Sequence, residues 1–396
     1  MVLCLAMLGL GDAGAALAEP AAPEPPPTLT APAMTPPLTL NPDPIGFDAG
    51  PLGKIYVSGQ ISGLGLAQSD RTPFPGSGNA ESLLDVSNAM VAVQTISGPV
   101  QFFVQAGAYS FPTLGTPYIR ASKNPSFYYG DVPVAYGKVV LSPSLSIQAG
   151  QMPTLIGSEY AFTFQNTNIE RGLLWNQEPV ISKGVQVNYT HGSVSLQASI
   201  NDGFYSDHYN WFSGLLSYTL DSHNTLAVNG GLNFSHTLTN KFAAPNTVNN
   251  SSLFLVSWTY SNGPLWVSPY FQYTTVPADP RTGAARSAQT YAGAVLARYT
   301  LTPEFNLAGR FEYIATSSDR CRAIDGPLCA PTNLLYGPGS DAWTLTVTPT
   351  WQRGVFFARG EVSYVRIENF QSGFGFGSAF NSRDQVRGLV EVGVLF

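Results

Sequence analysis

Between Trp343 and Trp351 the chain changes character at every second residue. Trp343, Leu345, Val347, Pro349 and Trp351 fall on one side of an extended backbone, and Thr344, Thr346, Thr348 and Thr350 on the other. Side chains of a strand point alternately to its two faces, so this is a strand with one apolar and one polar face. The pattern recurs. Phe305, Leu307, Phe311 and Tyr313 oppose Asn306, Arg310 and Glu312, and Phe356, Ala358, Val362 and Tyr364 oppose Arg359, Glu361 and Ser363. Such segments run for about ten residues, the length that crosses a bilayer at a tilt. In each, one face suits hydrocarbon and the other suits water.

Sixteen such strands are predicted, over 53–66, 86–97, 100–110, 131–142, 145–151, 181–190, 193–201, 211–220, 224–235, 251–260, 264–275, 288–301, 305–317, 342–352, 355–368 and 384–396. Short turns join alternate pairs, as at Ser142-Pro143-Ser144, His191-Gly192, Thr302-Pro303-Glu304 and Gln352-Arg353-Gly354. The other connections are long: 67–85, 111–130, 152–180, 202–210, 236–250, 276–287, 318–341 and 369–383. Short periplasmic turns alternating with long external loops are the outer-membrane arrangement, and an even strand number of this size matches water-filled barrels.

Composition excludes most alternatives. Charged residues are 11%, against about 25% in soluble domains. No segment reaches the ~18 consecutive apolar residues of a membrane helix. Only helices and closed barrels satisfy the backbone in hydrocarbon, which leaves the barrel. The expected fold is all-β: a transmembrane antiparallel up-and-down barrel of about sixteen strands, in a bacterial outer membrane. A soluble sandwich would not need the strict alternation of connection length. A net charge of −6 gives no nucleic-acid footprint.

Three regions follow. Residues 1–18 read as a signal peptide: Val2 to Leu10 is apolar, and Ala16-Leu17-Ala18 is a small-residue cleavage site. No Lys or Arg precedes the apolar run, which suggests a start codon upstream of the recorded one. Residues 19–46, with Pro25-Pro26-Pro27 and Pro36-Pro37, favour polyproline II and read as a periplasmic linker. Residues 47–396 form the barrel. Cys4 leaves with the signal peptide. Cys321 and Cys329 remain, a pair at short spacing in a Pro- and Gly-containing loop, and an oxidising compartment makes them a candidate disulfide.

Val390, Val392, Val394 and Phe396 alternate with Glu391 and Gly393. An aromatic end to an alternating strand resembles the signal read by the barrel-assembly machinery, so Phe396 is a candidate assembly residue. Trp211, Tyr218, Trp258, Tyr260, Trp343 and Trp351 lie near strand ends, where interfacial aromatic girdles are expected. Phe254, Val256 and Trp258 are assigned to lipid and Thr344, Thr346 and Thr348 to the lumen. Arginine is therefore expected to be tolerated at Thr346 and not at Val256.

The loop at 152–180 holds Glu159, Tyr160, Asn166, Asn168, Glu170, Arg171, Trp175, Asn176 and Glu178. Its place resembles that of the loop that enters the lumen of sixteen-stranded porins. Gly150-Gln151-Met152-Pro153-Thr154-Leu155-Ile156-Gly157-Ser158-Glu159, Glu170-Arg171-Gly172-Leu173-Leu174 and Gly184-Val185-Gln186-Val187 resemble the "putative β-barrel porin-2" family, most clearly over 145–205. The resemblance implies a porin-like outer-membrane barrel and carries no fixed substrate. By alternation, Lys138, Arg298, Arg310, Arg359 and Arg387 face inward, as do Glu312, Glu361 and Glu391. If the loop enters the lumen, Glu159, Glu170, Arg171 and Glu178 would line a constriction facing this wall, and the field would orient dipolar solutes. Alternatively, Arg310 with Glu312 and Arg359 with Glu361 pair and stiffen the wall.

These residues point first to a porin for passive diffusion of small polar solutes or ions, not to an enzyme. No cofactor or metal is implied, since the four histidines lack ligand spacing. Expected partners are outer-membrane lipid, the barrel-assembly machinery and the solutes themselves, with a homotrimer by analogy with general porins. Two other classes stay open: a non-conducting structural or adhesive barrel, and an outer-membrane barrel enzyme.

Overall fold

The computed structural model describes residues 38–239, 241–316, 332 and 334–396. The expected signal peptide, most of the Pro/Ala-rich segment and the Cys321–Cys329 pair lie outside the described residues. The strands are β1 (Ile45–Asp48), β2 (Lys54–Gln68), β3 (Ser82–Thr95), β4 (Val100–Tyr109), β5 (Val134–Ser142), β6 (Leu145–Pro153), β7 (Ile181–His191), β8 (Val194–Asn201) and β9 (Trp211–Thr219). They continue as β10 (Asn224–Asn233), β11 (Ser252–Asn262), β12 (Leu265–Val276), β13 (Ala288–Thr302), β14 (Phe305–Thr316), β15 (Asp341–Arg353), β16 (Phe356–Glu368) and β17 (Asp384–Leu395).

Each of the sixteen expected strands is present. β2 to β17 pair antiparallel in chain order, and β17 returns to β2 from Arg387↔Gln68 to Leu395↔Gln60. Closure leaves no sheet edge facing lipid. Beyond Gln60 that side of β2 would be bare, and β1 covers it in register Ile45↔Val57 to Asp48↔Lys54. Gln352 holds Thr39 through two hydrogen bonds of 2.9 Å. The end of the segment expected as linker is therefore attached to the barrel.

The outer surface is apolar. On β15, Leu345 is 51% exposed while Thr344, Thr346, Thr348 and Thr350 are fully buried. Phe254, Val256 and Trp258 are likewise exposed outward. The inside is not uniformly water-filled, and that corrects the expectation for Thr346. It lies beneath the infolded loop, 3.4 Å from Arg310 Nη2, where an arginine has no room. A second correction concerns Trp211. It shares the inward phase of Ser213, is fully buried, and donates from Nε1 to the Asn249 carbonyl at 2.8 Å. It is a lumenal core residue, not part of an interfacial girdle.

Candidate functional site: an infolded loop between two cavities

Register brings the wall together. Arg310, Thr346, Ser363, Arg387 and Gln68 form one row across β14, β15, β16, β17 and β2. Thr350, Arg359, Glu391 and Leu64 form another. Strand parity turns the polar members inward, so residues far apart in sequence make one charged patch.

The loop between β6 and β7, residues 154–180, lies on that patch. Its backbone is irregular, and irregular backbone at membrane depth must find partners within the protein. The wall carboxylates take its donors. Glu361 accepts from the backbone N–H of Ile169 at 2.5 Å and of Glu170 at 2.9 Å. Glu312 accepts from Leu173 and Leu174 N–H at 3.0 and 3.3 Å. Glu391 accepts from the hydroxyl of Thr163 at 2.6 Å, and also from that of Ser87 on β3 at 2.7 Å. The wall arginines take its acceptors. Arg359 donates to the carbonyls of Thr163, Asn166 and Thr167 at 3.0, 2.9 and 2.8 Å. Arg387 donates to Glu170 Oε1 and to the Thr113 carbonyl, both at 2.8 Å. Arg310 donates to Glu159 Oε1 at 2.5 Å and to the Glu170 carbonyl at 2.7 Å.

Glu159, Glu170, Arg310, Glu312, Arg359, Glu361 and Arg387 are thus brought together, and all are buried. They touch instead of facing each other across water, so the loop glutamates and the wall arginines form one docking surface. The β15 threonines serve it too: Thr348 donates to Glu361 at 2.6 Å and Thr344 to Glu312 at 3.0 Å. Arg298 stands apart, inward on β13 and half-buried. Arg171 is fully buried with its guanidinium 5.8 Å from the Trp175 ring, and its backbone bridges to Thr113 in the loop after β4. That second loop clamps the first, a contact no sequence pattern announced.

An inner and an outer cavity lie beside the docked loop. The inner one, about 580 Å³, opens toward the short turns. Amides and hydroxyls from β6 to β12 line it, among them Gln148, Gln186, Asn188, Ser217 and Thr259, and Lys138 is its charged side chain. The outer one, about 570 Å³, lies among the long loops and is walled by aromatic rings. Glu178 lines the outer cavity, and Gly157 lines the inner one. Gly157 has φ +95°, and the Glu178 carboxylate fills the space a Cβ there would occupy. The partition between the cavities is therefore thin at this pair.

At the outer rim, Asp207 pairs with Lys183 at 2.5 Å and with Lys241. These two amines hold its carboxyl below the usual range, while burial pushes neighbouring Asp202 up to about 6. Sequence reading missed this cluster and the aromatic wall. The paired Tyr128-Tyr129 and Phe242, apolar rings within otherwise polar loops, were the available signal.

The family model described as "Putative beta-barrel porin-2, OmpL-like" matches residues 54–396. No curated protein matches significantly in sequence. Similar solved structures include a loop L8 deletion mutant of OmpT, an outer membrane protein of Vibrio cholerae, at 14% identity and TM-score 0.56, covering 86% of this chain and 99% of that one. The outer membrane channel DcaP of Acinetobacter baumannii is similar at 10% identity and TM-score 0.56, covering 86% and 97%. An anion-selective porin from Comamonas acidovorans is similar at 9% identity and TM-score 0.55, covering 86% and 99%. At these identities the likeness concerns the fold.

Proposed function

The chain belongs to the Putative beta-barrel porin-2, OmpL-like family, and from that premise we propose that solutes cross it on the β6–β12 side of the lumen, past the outward face of the infolded loop. It is an outer-membrane porin for small solutes. The observation that carries the proposed route is the asymmetry of the interior: the β14–β17 wall is sealed under the loop, whereas the opposite wall borders an open polar cavity. Amide and hydroxyl groups there can replace the hydration of passing polar solutes, and Lys138 as the charged side chain of this lining supports a weak preference for anions. The loop narrows this route, with Glu178 and Gly157 at its narrowest part.

The reading is of a channel, and it assigns no catalytic residue. The apolar outer face supports outer-membrane lipid as a partner. Recognition of Phe396 by the barrel-assembly machinery and assembly as a homotrimer are carried as parts of the same proposal, open to crosslinking in native membranes. Purified protein in a planar bilayer tests the whole reading. Stepwise conductance in KCl, together with liposome swelling by an uncharged sugar, is expected. A folded barrel that conducts neither ions nor sugar would instead be a structural or adhesive protein.

A further inference from the structure

The outer cavity is built unlike the inner one. Phe74, Tyr128 and Phe242 come from three different loops and meet ring to ring, with centroids 5.4 Å apart for Phe74–Phe242 and 5.1 Å for Tyr128–Phe242. Tyr129 and Trp175 continue the wall. Aromatic faces are electron-rich and attract cations as well as flat apolar groups. Two charged side chains reach the cavity. Lys241 is committed to Asp207. Glu178 is only 4% exposed, makes no ion pair among the described residues, and its Oε1 has no hydrogen-bond partner. A buried carboxylate oxygen without a partner is costly unless a donor or cation completes it.

We propose that the outer cavity is a binding site for organic ammonium ions bearing a flat ring, with the ring against the Phe74–Phe242–Tyr128 wall and the ammonium at Glu178. A simple inorganic cation would use only the carboxylate, and a neutral ring only the wall. An aromatic carboxylate would meet Glu178 as a like charge. The volume of about 570 Å³ accommodates a bicyclic amine with water. Such a solute would pause at the outer mouth before the polar lumen. This rests on the channel reading only for access from outside.

Calorimetric titration of detergent-solubilised, heat-modifiable protein with tryptamine and with indole-3-acetate tests the site without requiring conductance. Tryptamine should bind at least about tenfold more tightly than indole-3-acetate, the scale of a desolvated cation–aromatic contact reinforced by a carboxylate. Glu178→Gln should bring the two within about twofold, and Phe242→Ala, at a half-exposed ring, should weaken tryptamine several-fold. Equal binding of the two probes by the unaltered protein at every pH at which tryptamine is protonated, or a tryptamine preference that survives Glu178→Gln, overturns the proposal. Should Glu178→Gln not fold, the two-probe comparison and Phe242→Ala decide. Binding by a barrel that fails to conduct KCl would remove the channel reading and keep this one.

Discussion

Arg310 on β14 and Glu159 in the infolded loop are joined at 2.5 Å, and neither side chain reaches solvent. Glu159 also accepts the Gly172 N–H at 2.8 Å, so this one pair fixes both ends of the loop's central turn to the wall. Arg310 also pairs with Glu312 at 3.4 Å, so removing Arg310 leaves buried carboxylates uncompensated, which costs about 3–5 kcal/mol. Arg310→Met should therefore loosen the loop while the strand ladder holds the barrel. The expected result is noisier, larger single-channel currents and faster proteolysis within 154–180. Adding Glu159→Gln should cost less than the two separate effects combined. Strict additivity would show that the pair does not dock the loop.

Deleting residues 160–172 removes most of the backbone that Glu361 and Arg359 hold. It opens the β14–β17 wall to water. Single-channel conductance should rise clearly, and the exposed charges should make it more sensitive to salt. Conductance equal to that of the full chain would place the narrowest section elsewhere.

Lipid and lumen faces can be separated by single arginines. Val256→Arg sets a charge in hydrocarbon and should cost about 2–4 kcal/mol at mid-membrane. Ser217→Arg points into the inner cavity and should leave the folded yield unchanged. Thr346→Arg also points inward but meets Arg310 under the docked loop, and should fold poorly. Heat-modifiable migration in outer membranes measures all three. Equal yields at Val256 and Ser217 would contradict the strand register.

The seam offers another test. Gly59 exchanges backbone hydrogen bonds with Phe396 at 2.7 and 2.9 Å, and a Cβ on Gly59 would run into the Phe396 ring and approach the Met90 carbonyl at 2.9 Å. Gly59→Val should lower the folded fraction, and by less when introduced into a Phe396→Ala chain than into the unaltered one, the Phe396→Ala chain alone serving as its baseline because Phe396 is also the candidate assembly residue. An equal loss in both chains would mean that the clash with Met90 backbone dominates.

The strands were legible because their signal is local: alternation within ten residues sets both the strand and its faces. Trp211 shows that a strand-end aromatic need not belong to a girdle. Its phase matches Ser213 and opposes the exposed Phe212, so parity alone places it inside. The docking surface was only half legible. Parity predicts that Arg310, Arg359 and Arg387 face inward. It does not predict that a loop 140 to 217 residues away supplies carbonyls and carboxylates to them, because that depends on irregular backbone with no period. The aromatic cavity was less legible still, since its rings come from separate loops that only closure of the barrel brings together.

Glu178 makes the outer cavity's affinity depend on pH. It lies in the infolded loop, outside the spanning strands, and burial, then the nearby Glu159 and Glu312 carboxylates, hold its carboxyl well above the usual range. Tyr270 from β12, Tyr128 and Tyr129 in the cavity wall and Lys241 at the rim are further titratable neighbours. Below its raised pKa Glu178 is neutral and attracts an ammonium weakly. Above it the group is ionised and attracts strongly. Tryptamine affinity should therefore rise as pH increases through that pKa, with proton release on binding, because an ammonium favours the charged form. Titrations in two buffers of different ionisation enthalpy measure the released proton. Glu178→Gln should flatten the pH profile and abolish the release. An affinity that falls with rising pH while tryptamine stays protonated would show that Glu178 is not the ammonium's partner.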